Sequence, residues 1–210
     1  MTQKALTLLE LLTVIAILLL VAALSLPALR AARYRGHDAV CISNMRQILM
    51  AVGMYRSDYH QEFPKMLNRV LPYVRTQTIF HCPVDKEGGI AVTKEIERIP
   101  QLSYYYVGMY TLFPEFLTYA PPLDPNHGVI ACVWHPISNW NSWSPFTAPF
   151  VRRGLLDGSV QTVRKRKPTP DELDPREPDN EAGNGCFNGW ILFTNAPCPL
   201  EYCRHPDCFD

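Results

Sequence analysis

Residues 4–29 read KALTLLELLTVIAILLLVAALSLPAL, an apolar run interrupted by one acidic side chain, Glu10. Positions 11–29 carry no charge, and at 1.5 Å per helical residue they reach about 28 Å, close to a hydrocarbon core of about 30 Å. The run is long enough to cross a bilayer as a helix. A carboxylate at the edge of such a segment is costly to bury, so it is expected to have a partner and a purpose. A secretory signal peptide would have a core of about 7–15 residues closed by a small-x-small cleavage site. A plain membrane anchor would give no reason for Glu10.

Outward from this run the helical pattern persists. Pro27 kinks a helix without having to end it where neighbouring groups re-satisfy the backbone. Beyond it Cys41, Met45, Ile48, Leu49, Val52, Tyr55 and Tyr59 recur at spacings of three and four, the mark of an amphipathic helix with one face on a core. The pattern predicts one helix over 6–59, about 80 Å long, bent near Pro27 or Gly36. The chain then turns at Glu62, Phe63 and Pro64, and 66–74 has the spacing of a short helix interrupted at Pro72. Strands are expected at 78–80, 103–107 and 129–134, which are short, aromatic or β-branched, and separated by Pro and Gly clusters. Residues 152–163 read as a hairpin, with Asp157 and Gly158 supplying the positive backbone angles of a two-residue turn. The fold class is α+β, a long N-terminal helix packed against a small antiparallel sheet.

The chain has 210 residues, and 20 basic side chains balance 20 acidic ones. One span leaves about 180 residues for a single compact head. A net charge of zero gives no global field to recruit nucleic acid, which is not expected as a partner. Seven cysteines suit an oxidising compartment better than a reducing cytosol. The chain has no Gly-rich phosphate loop, no Gly-x-Ser-x-Gly elbow and no His-Glu-x-x-His pair. An enzyme is not expected, nor is a cofactor.

The segment Ala5, Leu6, Thr7, Leu8, Leu9, Glu10, Leu11 resembles the prepilin-type cleavage and methylation segment of type IV pilins and type II secretion pseudopilins. In that family a short basic leader ends in a small residue, a prepilin peptidase cuts after it, and the new apolar N-terminus is N-methylated, with Glu at the fifth mature position. The resemblance makes residues 1–5 the leader, places cleavage between Ala5 and Leu6, and assigns methylation to Leu6. It gives Glu10 the filament-assembly role and puts Pro27 at a position where the family also carries proline. Ala5 replaces the usual Gly and Leu6 the usual Phe. Residues 6–29 become the membrane and filament-core helix, 30–164 a pilin-like head including the second half of that helix, and 165–210 an acidic, Pro-rich loop with a Cys-rich tail. The leader would lie in the cytoplasm and the head outside the inner membrane. The basic flanks taken alone, Lys4 before the span against Arg30, Arg33 and Arg35 after it, favour the opposite orientation.

Within the head, Cys41 to Ile48 (CISNMRQI), Phe80 to Asp85 (FHCPVD) and Leu156 to Val160 (LDGSV) resemble a subgroup of pseudopilin-like proteins with a C-terminal His, nine residues, Asp-Gly signature. Thr147 stands where that His would be, so the signature is degenerate. The subgroup pairs Cys41 with Cys82 as a candidate clamp between helix and loop, leaving Cys132 as the odd thiol. The partners implied are self or homologous pilin subunits in a helical filament, the prepilin peptidase, an inner-membrane assembly platform and the membrane itself.

The tail is read from composition. Residues 165–184 hold Asp171, Glu172, Asp174, Glu177, Asp179 and Glu181 among four prolines, a solvated loop, with a calcium loop as the less favoured alternative. Cys186, Cys198, Cys203 and Cys208 are candidate disulfide cysteines, with zinc the less favoured reading because the Cys-x2-Cys knuckle is absent. No metal is assigned. His81, His127 and His135 are read as surface or hydrogen-bonded side chains. The leading function is a structural subunit of a pilus or pseudopilus. One alternative is a minor tip pilin binding a secreted substrate, DNA or a surface through Trp134, Trp140, Trp143 and Tyr104 to Tyr106, aromatics otherwise read as core. The other is a membrane-anchored metal-binding module.

Overall fold

A computed structural model of the chain describes residues 8–85, 88–89, 98–108, 127–134, 150–165 and 193–194. Among these residues the elements in chain order are a long helix α1 (Leu8–Asp58), two 3-10 helices (Leu67–Tyr73 and Gln77–Phe80), and strands β1 (Tyr105–Tyr106), β2 (Gly128–Cys132), β3 (Phe150–Leu155) and β4 (Val160–Arg164). The chain divides into two compact units, Met1–Ala39 and Val40–Asp210.

In the first unit α1 runs through Pro27 without interruption. Its large apolar side chains from Leu8 to Leu29 are exposed, Leu8 at 84% and Leu24 at 71%. Thr13 and Ser25 fold their hydroxyls back onto the carbonyls of Glu10 and Val21, at 2.9 and 2.8 Å. These bonds leave neither hydroxyl proton seeking a partner in an apolar medium. The helix is long and apolar enough to cross a membrane.

The second unit is an α+β head. The last turns of α1 bury Cys41, Asn44, Met45, Ile48, Leu49, Ala51, Val52 and Tyr55, the face given by the three-and-four spacing. Tyr59 falls outside it: the helix ends at Asp58, and Tyr59 is half exposed, stacked on Tyr55 with ring centroids 4.2 Å apart. The end is built from His60 in the left-handed region (φ 50°) and a bond from the Gln61 N–H to the Arg56 carbonyl, the pattern that satisfies the last helical carbonyls. The Arg56 guanidinium lies over the Phe63 ring at 4.4 Å, and the Tyr73 hydroxyl donates to Asp58, which pushes the Tyr73 phenol up to about 12.

The four strands form one antiparallel sheet in the order β1-β2-β3-β4. Three details differ from the sequence reading. Residues 78–80 lie in a 3-10 helix, because the Thr76 side chain accepts the Thr78 N–H and winds so short a segment. The strand expected at 103–107 pairs only through Tyr105 and Tyr106, since Ser103 is used by the loop before it. The hairpin closes on three residues, not two. The Gly158 N–H bonds to the Leu155 carbonyl, the Leu155 N–H to the Ser159 carbonyl, and Gly158 takes the left-handed angle (φ +83°) that this longer loop requires. Asp157 accepts the Ser159 N–H at 2.8 Å, and its contacts with Ser159 hold its carboxyl below the usual range.

The helix meets the sheet at Gly154. A Cβ there would lie 2.7 Å from the Ile130 Cγ2 and 2.8 Å from the Leu49 Cδ1, so the absence of a side chain is what lets α1 seat on β2 and β3. Around that contact the core gathers Tyr104, Tyr106, Phe80, Leu67, Ile99, Leu102, Val129 to Val133, Val151 and Phe193. Tyr104 to Tyr106 and Trp134 are all buried. The Tyr106 hydroxyl donates to the Pro64 carbonyl and the Trp134 ring N–H to the Ser103 carbonyl, so these amphipathic rings are satisfied inside the core.

Candidate functional site

Among the described residues, two features carry chemistry. The first is the exposed apolar half of α1 with Glu10 in its first turn. The cleavage and methylation residues Ala5 and Leu6 lie outside the described residues, as do Cys186, Cys198, Cys203, Cys208, Trp140, Trp143, His135 and the acidic tail.

The second is a cluster of three cysteines drawn from distant parts of the chain: Cys41 on α1, Cys82 after the second 3-10 helix, and Cys132 at the end of β2. All three are thiols and fully buried. The Cys41 and Cys132 sulfurs are 3.6 Å apart, those of Cys132 and Cys82 3.9 Å, and all three lie within 4.8 Å of one another. A disulfide requires about 2.05 Å. Cys132, the odd thiol of the sequence reading, touches both residues of the pair expected to clamp helix to loop.

Each cysteine is held by its own element. Cys41 opens the buried face of α1. Cys132 is fixed by the β2 ladder, opposite Arg152. Cys82 sits in a turn in which the Asp85 N–H returns to its carbonyl, with Pro83 in the position whose fixed φ favours such a turn. That turn is pinned on two sides. The Asn44 amide donates to the His81 carbonyl at 3.1 Å, tying the turn to the helix. The Ser103 hydroxyl accepts the Cys82 N–H at 3.0 Å and donates to the Asp85 carboxylate at 2.6 Å, tying it to the segment that leads into β1.

Electrostatically the cluster is buried and protic. Burial, reinforced by the Cys41 and Cys82 contacts, pushes the Cys132 thiol well up. At Cys82 the contact with Cys132 lowers the value, but the Cys41 contact and burial outweigh it, and the thiol stands at about 12. The Tyr104 hydroxyl donates toward the Cys41 sulfur at 3.8 Å, and burial followed by the neighbouring sulfurs pushes that phenol up as well. Such thiols are poor nucleophiles, since the thiolate is the reactive form. What the arrangement offers is three converging soft donors.

Sequence reasoning found Cys41 and Cys82 together but not their meeting with Cys132, which lies inside the apolar strand 129–134 and looks there like one more core residue. It gave no role to Phe193, fully buried in the head core although it lies far into the tail. No family model, curated protein or solved structure matches the chain.

Proposed function

We propose that this chain is a structural subunit of a type IV pilus-like or type II secretion pseudopilus filament, held in the inner membrane as a reservoir and processed at Ala5 and Leu6 by a prepilin peptidase. One observation carries the reading: α1 exposes every large apolar side chain from Leu8 to Leu29, yet its later turns are buried in a folded head. A helix that is apolar on all faces, with those side chains exposed, needs lipid or other helices around it. A filament core of packed N-terminal helices supplies the second and a bilayer the first.

Glu10 favours the filament over a simple anchor. An anchor gains nothing from a carboxylate in its apolar segment, whereas in a filament the acid pairs with the methylated amine of a neighbouring Leu6. In a low-dielectric core that pair is favoured over either charge alone, and it fixes the axial register between subunits. Replacing Glu10 by Leu is the test. Insertion and cleavage should be retained while incorporation into filaments falls; incorporation equal to the unsubstituted chain would sink the assembly role. Peptide analysis of envelope protein should find a mature chain beginning at a methylated Leu6, and recovery of only the Met1 form in cells with an active peptidase would count against processing.

A further inference from the structure

We propose that Cys41, Cys82 and Cys132 form a zinc site that locks the helix, the 82–85 turn and the sheet into one head. Nothing in the filament reading requires such a site, and the proposal stands independently of it.

The geometry comes first. Thiolates held at about 2.3 Å from a tetrahedral Zn2+ lie about 3.8 Å from one another, and the three would fill three of its four positions, the fourth falling to a small exogenous ligand such as water. The two sulfur separations at Cys132, 3.6 and 3.9 Å, bracket that spacing, and the third pair falls within 4.8 Å. Three sulfurs from positions 41, 82 and 132 converge within the core. Each is fixed by an independent device: the helix face, the pinned turn and the β2 ladder.

Charge then favours a divalent over a monovalent metal. Three thiolates leave a net charge of −1 around a divalent cation and −2 around a monovalent one. In a fully buried site the smaller residual charge is the less costly. The Tyr104 hydroxyl, which donates toward the Cys41 sulfur, offsets part of it. Oxygen-preferring cations are excluded by the donor set, since thiolates select soft or borderline metals. Because the three sulfurs have no exposed surface, zinc is taken up as the head folds, with loss of one proton from each thiol, and metal affinity becomes folding stability.

The experiment uses the full chain, expressed with ZnCl2 and purified in detergent without reductant or chelator. Elemental analysis should find about one zinc per chain, and anaerobic refolding with Co2+ should give sulfur-to-cobalt charge-transfer absorption with tetrahedral d–d bands. A chain with Cys186, Cys198, Cys203 and Cys208 all changed to Ser should keep the metal, whereas Cys132→Ser should lose it. If Cys132→Ser fails to fold, the Co2+ spectrum of the four-serine chain decides. Absence of sulfur-to-cobalt absorption overturns the proposal. So do retention of zinc by Cys132→Ser, loss of it in the four-serine chain, copper in place of zinc, or peptide mapping that finds two of the three cysteines joined as a disulfide in protein taken from cells.

Discussion

At Gly154 the head has no room for one more carbon. Gly154→Ala places a methyl 2.7 Å from the branched Ile130 side chain, which cannot swing away, and 2.8 Å from Leu49, which can. Overpacking of this kind costs about 1–3 kcal/mol. Denaturant unfolding of the full chain in detergent should show that loss, with a second change, Leu49→Ala, relieving only the Leu49 part. Lys165, buried just beyond β4, gives a pH signature. Burial first, and then Arg153, lowers its ammonium from 10.5 to about 8. Between those values the unfolded chain binds more protons than the folded one, so stability rises with pH across that window and is uniformly lower below it. Lys165→Met should flatten the slope and raise stability at pH 7 by about 1–3 kcal/mol. An unchanged slope would mean that another group titrates there.

At the scale of elements, α1 makes the same side chain worth different things at different turns. Ile48→Ala removes methyl groups from a fully buried position and should cost the head about 2–5 kcal/mol. Leu18→Ala, at an exposed position, should leave head unfolding unchanged and show itself only in how the helix associates. Equal effects of the two on unfolding would contradict the division of the helix into a covered and an uncovered stretch. That helix was the most legible element, because an unbroken apolar run followed from Cys41 by three-and-four spacing is a strong signal and few alternatives fit it. Its end was less so: Tyr59 continues the spacing, but the left-handed His60 is a backbone event with no periodic trace. The strands near 129–134 and the hairpin were found from β-branched runs and Asp-Gly. The 3-10 helix at Gln77–Phe80 was missed because a side-chain cap at Thr76 outweighs the β propensity of Thr78 and Ile79. The cysteine cluster was half visible, since spacings of 41 and 50 residues encode no geometry until the sheet and the turn exist.

The whole molecule joins an apolar helix to a head with its own core, and the two have opposite solvent needs. Residues from Gly36 onward, expressed without the span in an oxidising compartment, should therefore be soluble. Thiol labelling of that protein under denaturing conditions, without reductant, should modify Cys41, Cys82 and Cys132 and leave the four tail cysteines paired. Reactivity of all seven thiols would count against both the compartment and the tail disulfides.

Phe193 sets an order of events in time. Its ring is fully buried among residues that begin at Cys41, so the core is missing a wall until the chain has been made, and has emerged, as far as position 193. Among the described residues it is the last large side chain in sequence to join the core, so a nascent chain cut short before it carries a head whose core is incomplete.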